Sequence, residues 1–156
     1  MKIGVFSDTH GKISNIKLIS EKFDYILHLG DYAEDAKKIA DYFSCPYTCV
    51  KGNCDLYCSD YPAQTVVSFD GVRILLTHGH KQNTELSLGL LGEESCCNAV
   101  LFGHSHTPCL SAYGKILLVN PGSLSEPRYC SRPGYSILLI QKIRFGKLIW
   151  LKLPEK

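Results

Sequence analysis

Apolar residues along this chain come in short runs, each cut off by a polar residue or a glycine. Lys2–Ser7 (KIGVFS) is the first run and predicts a strand buried on both faces, ended by Asp8-Thr9-His10-Gly11. Ser14–Phe23 places Ile16, Ile19 and Phe23 near helical spacing, with Ser14 as an expected N-cap. Asp24–Leu29 predicts a second strand, stopped by Gly30-Asp31. Glu34–Phe43 predicts an amphipathic helix with Ala36, Ile39, Ala40 and Phe43 on its apolar side, and Asp35 on the exposed side. Tyr47–Lys51 predicts a third strand, stopped by Gly52-Asn53. This βαβαβ order argues for a parallel sheet covered by helices, with each strand releasing a polar residue just past its carboxyl end.

The pattern then changes. Thr65–Phe69 and Val72–Thr77 flank Asp70-Gly71, a hairpin signal. Thr84–Leu91 reads as a helix despite Gly89, and Ala99–Phe102 as a strand. Leu110–Tyr113 and Lys115–Val119 predict a hairpin around Gly114. Tyr135–Ile140 and Lys147–Lys152 predict another, turned at Phe145-Gly146. The second half is expected to be antiparallel in tendency. Two sheets packed face to face with helices outside fit this order, and residues 1–156 are expected to form a single domain.

Composition narrows the class without naming a function. With 45% hydrophobic and 21% charged residues, the chain is an ordinary globular protein. A net charge of +2 is too mild to argue for nucleic acid or membrane binding. No apolar run reaches spanning length, and Asp8 and His10 interrupt any signal-peptide pattern, so a cytoplasmic protein is expected. In that compartment the eight cysteines should be reduced thiols. A zinc site on Cys45, Cys49, Cys54 and Cys58 is the alternative, but the spacing lacks a C-x₂-C knuckle and Cys49 lies in a predicted strand.

The chemistry gathers at the strand ends. Val100–Pro108 delivers His104 and His106 one residue apart, which puts both imidazoles on one side of an extended backbone. Asp8, His10, Asp31, Asn53 and His78 stand at other strand ends, making two carboxylates, one amide and four imidazoles with the first pair. His28, between Leu27 and Leu29, reads instead as a core or supporting histidine. Seven donors exceed the needs of one ion and suit two ions sharing a carboxylate, for which Asp31 is the natural bridge. Two divalent cations bring four positive charges, of which Asp8 and Asp31 cancel two. The remainder suits an anionic phosphodiester and a hydroxide bridging the ions, so hydrolysis of phosphate esters is the expected chemistry.

Asp8-Thr9-His10, Gly30-Asp31, Gly52-Asn53-Cys54-Asp55, His78-Gly79 and Gly103-His104-Ser105-His106 together resemble the five ordered blocks of the calcineurin-like metallophosphoesterases. The short length and the Gly-Asn-Cys-Asp form are similar to the small bacterial and archaeal phosphodiesterase branch. The resemblance implies an α/β fold, a four-layer αββα sandwich of two mixed β-sheets flanked by helices. It also implies two divalent ions, with manganese expected first and nickel, iron or zinc as alternatives. By position, Asp8, His10, Asp31 and His106 would hold the first ion, and Asp31, Asn53, His78 and His104 the second. His80 would stand just behind the ligands or touch substrate. Asn120-Pro121-Gly122-Ser123 resembles a turn near the site, and Arg128 and Arg132 after it could steer an anion. Asp31, Asn53 and His104 are also expected among the catalytic residues.

One position departs from the pattern. Many members carry a histidine after the asparagine, read as the acid that protonates the leaving group; here Cys54 stands there, and Asp55, similar to the acid that orients it, has no imidazole to orient. A metal-dependent phosphodiesterase acting on a small diester is therefore expected, with a non-catalytic scaffold of the retromer-subunit type and a nuclease of the same superfamily as alternatives. The absence of a basic stripe speaks against the nuclease, and a homo-oligomer is compatible with the sequence.

Overall fold

The computed structural model describes residues 1–56, 60–82, 84–143 and 146–152, with the backbone alone from residue 142 onward. The strands are β1 (Lys2–Phe6), β2 (Tyr25–His28), β3 (Tyr47–Cys49), β4 (Gln64–Phe69), β5 (Val72–Thr77), β6 (Ala99–Leu101), β7 (Pro108–Tyr113), β8 (Ile116–Pro121), β9 (Ser136–Ile143) and β10 (Gly146–Lys152). Helix α1 (Asp35–Phe43) lies between β2 and β3, and α2 (Glu85–Glu94) between β5 and β6. They form two five-stranded sheets, ordered β10-β9-β1-β2-β3 and β4-β5-β6-β8-β7. Both are mixed. In the first, β1, β2 and β3 run parallel and β9 antiparallel to β1. In the second, β5, β6 and β8 run parallel, with β4 and β7 antiparallel at the edges.

Strand alternation explains the layers. Ile3, Val5, Leu27 and Leu29 of the first sheet share a core with Ile74, Leu76, Leu101 and Val119 of the second. The neighbouring strand positions face outward and meet helices. Ile26 packs with Ile39 and Ala40 of α1, and Leu75, Val100 and Leu118 pack with Leu88 of α2. The result is helix, sheet, sheet, helix. Strands covered on both faces read as continuous apolar runs, which is why they were visible in sequence.

Several local expectations are corrected. Ser14–Phe23 is not an α-helix: only a 3-10 turn forms over Ser14–Leu18, preceded by Ile13 and without a side-chain cap from Ser14. It buries Ile16 alone, while Leu18 is 84% exposed. Phe23 instead joins Phe43 and Tyr135 in an aromatic cluster, with ring centroids 4.9 and 5.9 Å away. Of its four apolar residues only Ile16, Ile19 and Phe23 fall near helical spacing, too few to sustain a helical stripe. The second half is less antiparallel than expected, because α2 carries the chain from β5 to a parallel β6. That helix runs three residues past Leu91 in spite of Gly89. A side chain at Gly89 would collide with the Tyr113 ring, so the glycine lets α2 lie close on β7.

The Asp70-Gly71 hairpin forms as expected, both residues taking positive φ of 49° and 72° as a tight primed turn requires. The turn residue Phe145 lies outside the described residues, as does Cys58 of the alternative zinc set. Cys49 is buried and Cys54 exposed, and the candidate metal cluster found among the described residues, Asp8, His10, Asp31 and His106, contains no cysteine. Among the described residues no helix is long and apolar enough to cross a membrane.

Candidate metal centre

The parallel strands deliver their polar residues to one edge, as open α/β sheets do. Asp8, His10, Asp31, His104 and His106 all have positive φ, between 46° and 67°, a conformation that turns each chain sharply out of its strand. Gly30, at φ 95°, and Gly52 let two of these turns interlock: a side chain on Gly30 would strike the Gly52 backbone, and one on Gly52 would strike the Asp31 carboxylate. Asp55 braces the same pair of turns. Its Oδ1 accepts from the Ala33 amide at 2.9 Å and its Oδ2 from the Gly52 amide at 2.8 Å. The carboxylate assigned by resemblance to orient a catalytic group is therefore occupied holding backbone.

The donor atoms of Asp8, His10, Asp31 and His106 all lie within 4.8 Å of one another. These are the four residues that the resemblance gives to the first ion. His106 Nε2 stands 3.2 Å from both Asp8 Oδ1 and His10 Nε2. The residues named for the second ion adjoin this group. His78 Nε2 lies 3.1 Å from Asn53 Oδ1 and 3.4 Å from Asp31 Oδ1, and the His104 ring is 5.3 Å from that of His78. The two oxygens of Asp31 divide between the groups: Oδ1 faces His78, while Oδ2 faces His10 at 3.8 Å.

Tautomers decide what this arrangement can bind. His106 Nδ1 lies 2.6 Å from the Glu126 carbonyl and His78 Nδ1 lies 2.7 Å from the Leu29 carbonyl, so each Nδ1 carries a proton. In the neutral rings, both Nε2 lone pairs then point at carboxylate or amide oxygens, Asp8 Oδ1 for His106 and Asn53 Oδ1 and Asp31 Oδ1 for His78. Asp8 Oδ1 is buried and has no hydrogen-bond partner among the described residues, while Oδ2 accepts from Ser7 Oγ at 2.6 Å and the His104 amide at 3.1 Å. Acceptors aimed at acceptors repel unless a cation stands among them, so this donor set fits divalent ions. Burial raises the Asp8 pKa, but His106, His78 and Ser7 together hold it below the usual carboxylate range. The Asp8 partnership raises His106, against its burial, whereas burial and the neighbouring His78 lower His104.

A layer behind these ligands was partly missed in sequence. Asp35 is not on the exposed face of α1 but 1% exposed, and it accepts from Thr9 Oγ at 2.9 Å, the Gly11 amide at 3.0 Å and Lys38 Nζ at 2.8 Å. As the first residue of the helix it reaches back to the loop carrying His10. His28 is buried as expected. Its Nδ1 accepts from the Gly30 amide at 3.2 Å and its Nε2 faces Thr9 Oγ at 3.3 Å. Burial lowers its pKa to about 4, so it stays neutral. The Asn120–Ser123 turn supports the opposite side: Asn120 Nδ2 donates to the Gly103 carbonyl at 2.8 Å and Ser123 Oγ to the Asp8 carbonyl at 2.7 Å.

The remaining residues lie at the rim. Cys54 is exposed; its amide donates to Asp31 Oδ1 at 2.9 Å, and its thiol pKa is pushed up to about 11, first by burial of the sulfur and then by Asp31. His80 lies beside His78 and His104, its ring tilted to the first at 5.5 Å and edge-on to the second at 6.2 Å, with a buried Nδ1 that has no hydrogen-bond partner among the described residues. Arg128 is exposed and its charge reaches His104 and His106. Arg132, expected with it, lines a separate cavity with Leu18, Ile19 and Tyr135.

Residues 1–142 match the family model of the calcineurin-like phosphoesterase superfamily domain. Probable metallophosphoesterase YsnB of Bacillus subtilis is 30% identical over 148 residues, covering 90% of this chain and 85% of that protein. Phosphodiesterase MJ0936 of Methanocaldococcus jannaschii is 27% identical over 150 residues, covering 78% of this chain and 83% of that protein. The fold is also that of wild-type Vps29 of Entamoeba histolytica complexed with Zn²⁺, with a TM-score of 0.77 over 97% of this chain and 98% of that one, at 17% identity.

Proposed function

The chain belongs to the calcineurin-like phosphoesterase superfamily, and from that premise we propose that it hydrolyses phosphodiesters at a centre of two divalent cations. The observation that carries this reading is the set of Nε2 lone pairs and carboxylate oxygens turned on one another, with Asp31 facing both groups. Asp8, His10, Asp31 and His106 would hold one ion, and Asp31, Asn53, His78 and His104 the other. When bound, such ions supply Lewis acidity toward the phosphate and toward water. The protein's part is to hold that charge in place. Asp31 keeps both groups at a fixed separation, and the protonated Nδ1 atoms of His78 and His106 lock their rings to backbone carbonyls. Arg128 adds positive charge on the side where an anion would arrive.

Proton donation to the leaving group is the weak step. No imidazole stands at position 54, and a thiol is a poor donor, so esters of acidic alcohols such as phenols are the substrates best served. A scaffold with this fold has no need for seven intact donors, which favours the hydrolase. Elemental analysis after loading with manganese should give about two ions per chain, with hydrolysis of bis(p-nitrophenyl) phosphate that a chelator abolishes. A reproducible content of one ion or none would overturn the binuclear reading, and a fully loaded protein without hydrolysis would overturn the enzymatic one.

A further inference from the structure

Beside His104 the surface opens into a cleft of about 360 Å³ that the hydrolytic reading does not use. Gln82, Glu85, Leu88, Phe102, His104 and Cys109 are among the residues that line it. We propose that this cleft seats an uncharged planar group esterified to the phosphate, an aryl ring or a nucleobase with its sugar. The proposal rests on the phosphodiesterase reading above and names the substrate that reading leaves open.

Three observations converge on that class. The first is position. His104 belongs both to the cleft wall and to the donor group, its ring 5.3 Å from that of His78, so an ester group leaving the phosphate on this side enters the cleft directly. The second is shape and polarity. Leu88 is 3% exposed and, with Phe102, continues the apolar core beneath α2, which gives the cleft a fixed hydrophobic wall. A volume near 360 Å³ is at the small end of ligand pockets, enough for a ring or a nucleoside and too little for a folded partner. In its lining the half-buried Gln82 amide offers both a donor and an acceptor, as the edge of a planar heterocycle requires.

The third observation is charge. Among the described residues neither lysine nor arginine lines the cleft, and the one acidic residue there is Glu85, whose Oε1 is approached by Cys109 Sγ at 3.8 Å. Glu85 would repel a second phosphate or a carboxylate placed in the cleft. The cleft therefore selects against substrates with a further anionic group, such as nucleoside polyphosphates, and for diesters whose organic part is neutral.

Three monoesters with the same phosphate head test this on the metal-loaded protein: methyl phosphate, phenyl phosphate and 4-carboxyphenyl phosphate, each titrated by calorimetry. Phenyl phosphate should bind about tenfold or more tighter than methyl phosphate, from burial of its ring. The added carboxylate should cancel most of that gain, and Glu85→Lys should restore it. Gln82→Trp, which puts a large ring on the cleft lining, should remove the phenyl advantage. Equal binding of methyl and phenyl phosphate would overturn the cleft assignment and leave the phosphate site standing. Undiminished binding of 4-carboxyphenyl phosphate would overturn the charge selection. If no monoester binds at all, the cleft assignment falls, and if bis(p-nitrophenyl) phosphate is then also left uncleaved, the phosphate site falls with it.

Discussion

The donor set has an inner and an outer half, and the two are built differently. Asp8, Asp31, His78 and His106 are at most 3% exposed, and each is tied to further protein behind it. Ser7 and the His104 amide hold Asp8, the Leu29 and Glu126 carbonyls hold the two imidazoles, and Asp35 holds the loop of His10. Asn53, Cys54 and His104 are exposed, and the polar partner of the Asn53 amide nitrogen is the Cys54 sulfur at 3.5 Å. The inner half is therefore organised in advance of any ligand, whereas the outer half borders solvent and, at His104, the cleft. Preorganisation belongs where charge is held, and tolerance belongs where chemistry is varied.

The sharpest way to break this comparison is Asp31→Asn, because the two oxygens of Asp31 divide between the groups, Oδ1 toward His78 and Oδ2 toward His10. The amide removes a shared charge at nearly constant shape. Turnover should fall by about 10³-fold or more, as expected when a charge-neutralising ligand of the catalytic ions is lost. The thermal midpoint should move only a few degrees. Steady-state kinetics with saturating metal, read beside a melting curve, checks both. Retained turnover would mean that the two groups do not share this residue.

The supporting layer comes next. Asp35→Asn leaves an amide that cannot accept from Thr9 Oγ, the Gly11 amide and Lys38 together as the carboxylate does. Loss of one buried partner costs about 1–3 kcal/mol. Metal affinity should fall about 10–100-fold, the usual consequence of disturbing groups that orient ligands. Asp41→Asn on the same helix is the control, since its pair with Lys37 is 65% exposed on both sides and such pairs contribute under about 1 kcal/mol. Urea midpoints and metal titrations that did not separate the two variants would refute the bracing role of Asp35.

That residue also marks how far sequence reading reaches. The strands and the five polar blocks were legible because each is a local signal, an apolar run punctuated by glycine and a donor. Asp35 was misread because a helical wheel sorts inner from outer faces in mid-helix. It says nothing about a first-turn residue, whose side chain points back over the preceding loop. The carbonyls of Leu29 and Glu126, which set the tautomers of His78 and His106, carry no side-chain signature at all. Asp55 was legible as a carboxylate beside the site, but only its two backbone amides reveal it as a brace.

The smallest expected effects belong to the outer half, at Cys54. Its side chain is exposed, and what it contributes to the site is chiefly a backbone amide on Asp31, which any residue but proline would keep. Cys54→Ala should therefore change cleavage of aryl diesters by no more than about twofold, since a phenolate leaves without strong protonation. Cys54→His places an imidazole at the rim and should speed cleavage of alkyl diesters, whose leaving groups need a proton. General acid catalysis can contribute about 10²–10⁴-fold when the acid is well held. Here the gain should stay near tenfold, because both oxygens of Asp55 are committed to the Ala33 and Gly52 amides and cannot also orient the new ring. Comparing kcat for aryl and alkyl diesters across wild type, Cys54→Ala and Cys54→His separates the two roles. A large loss with Cys54→Ala would make the thiol a participant in the reaction. A full 10²-fold or greater gain with Cys54→His would mean that the outer half is as well organised as the inner one.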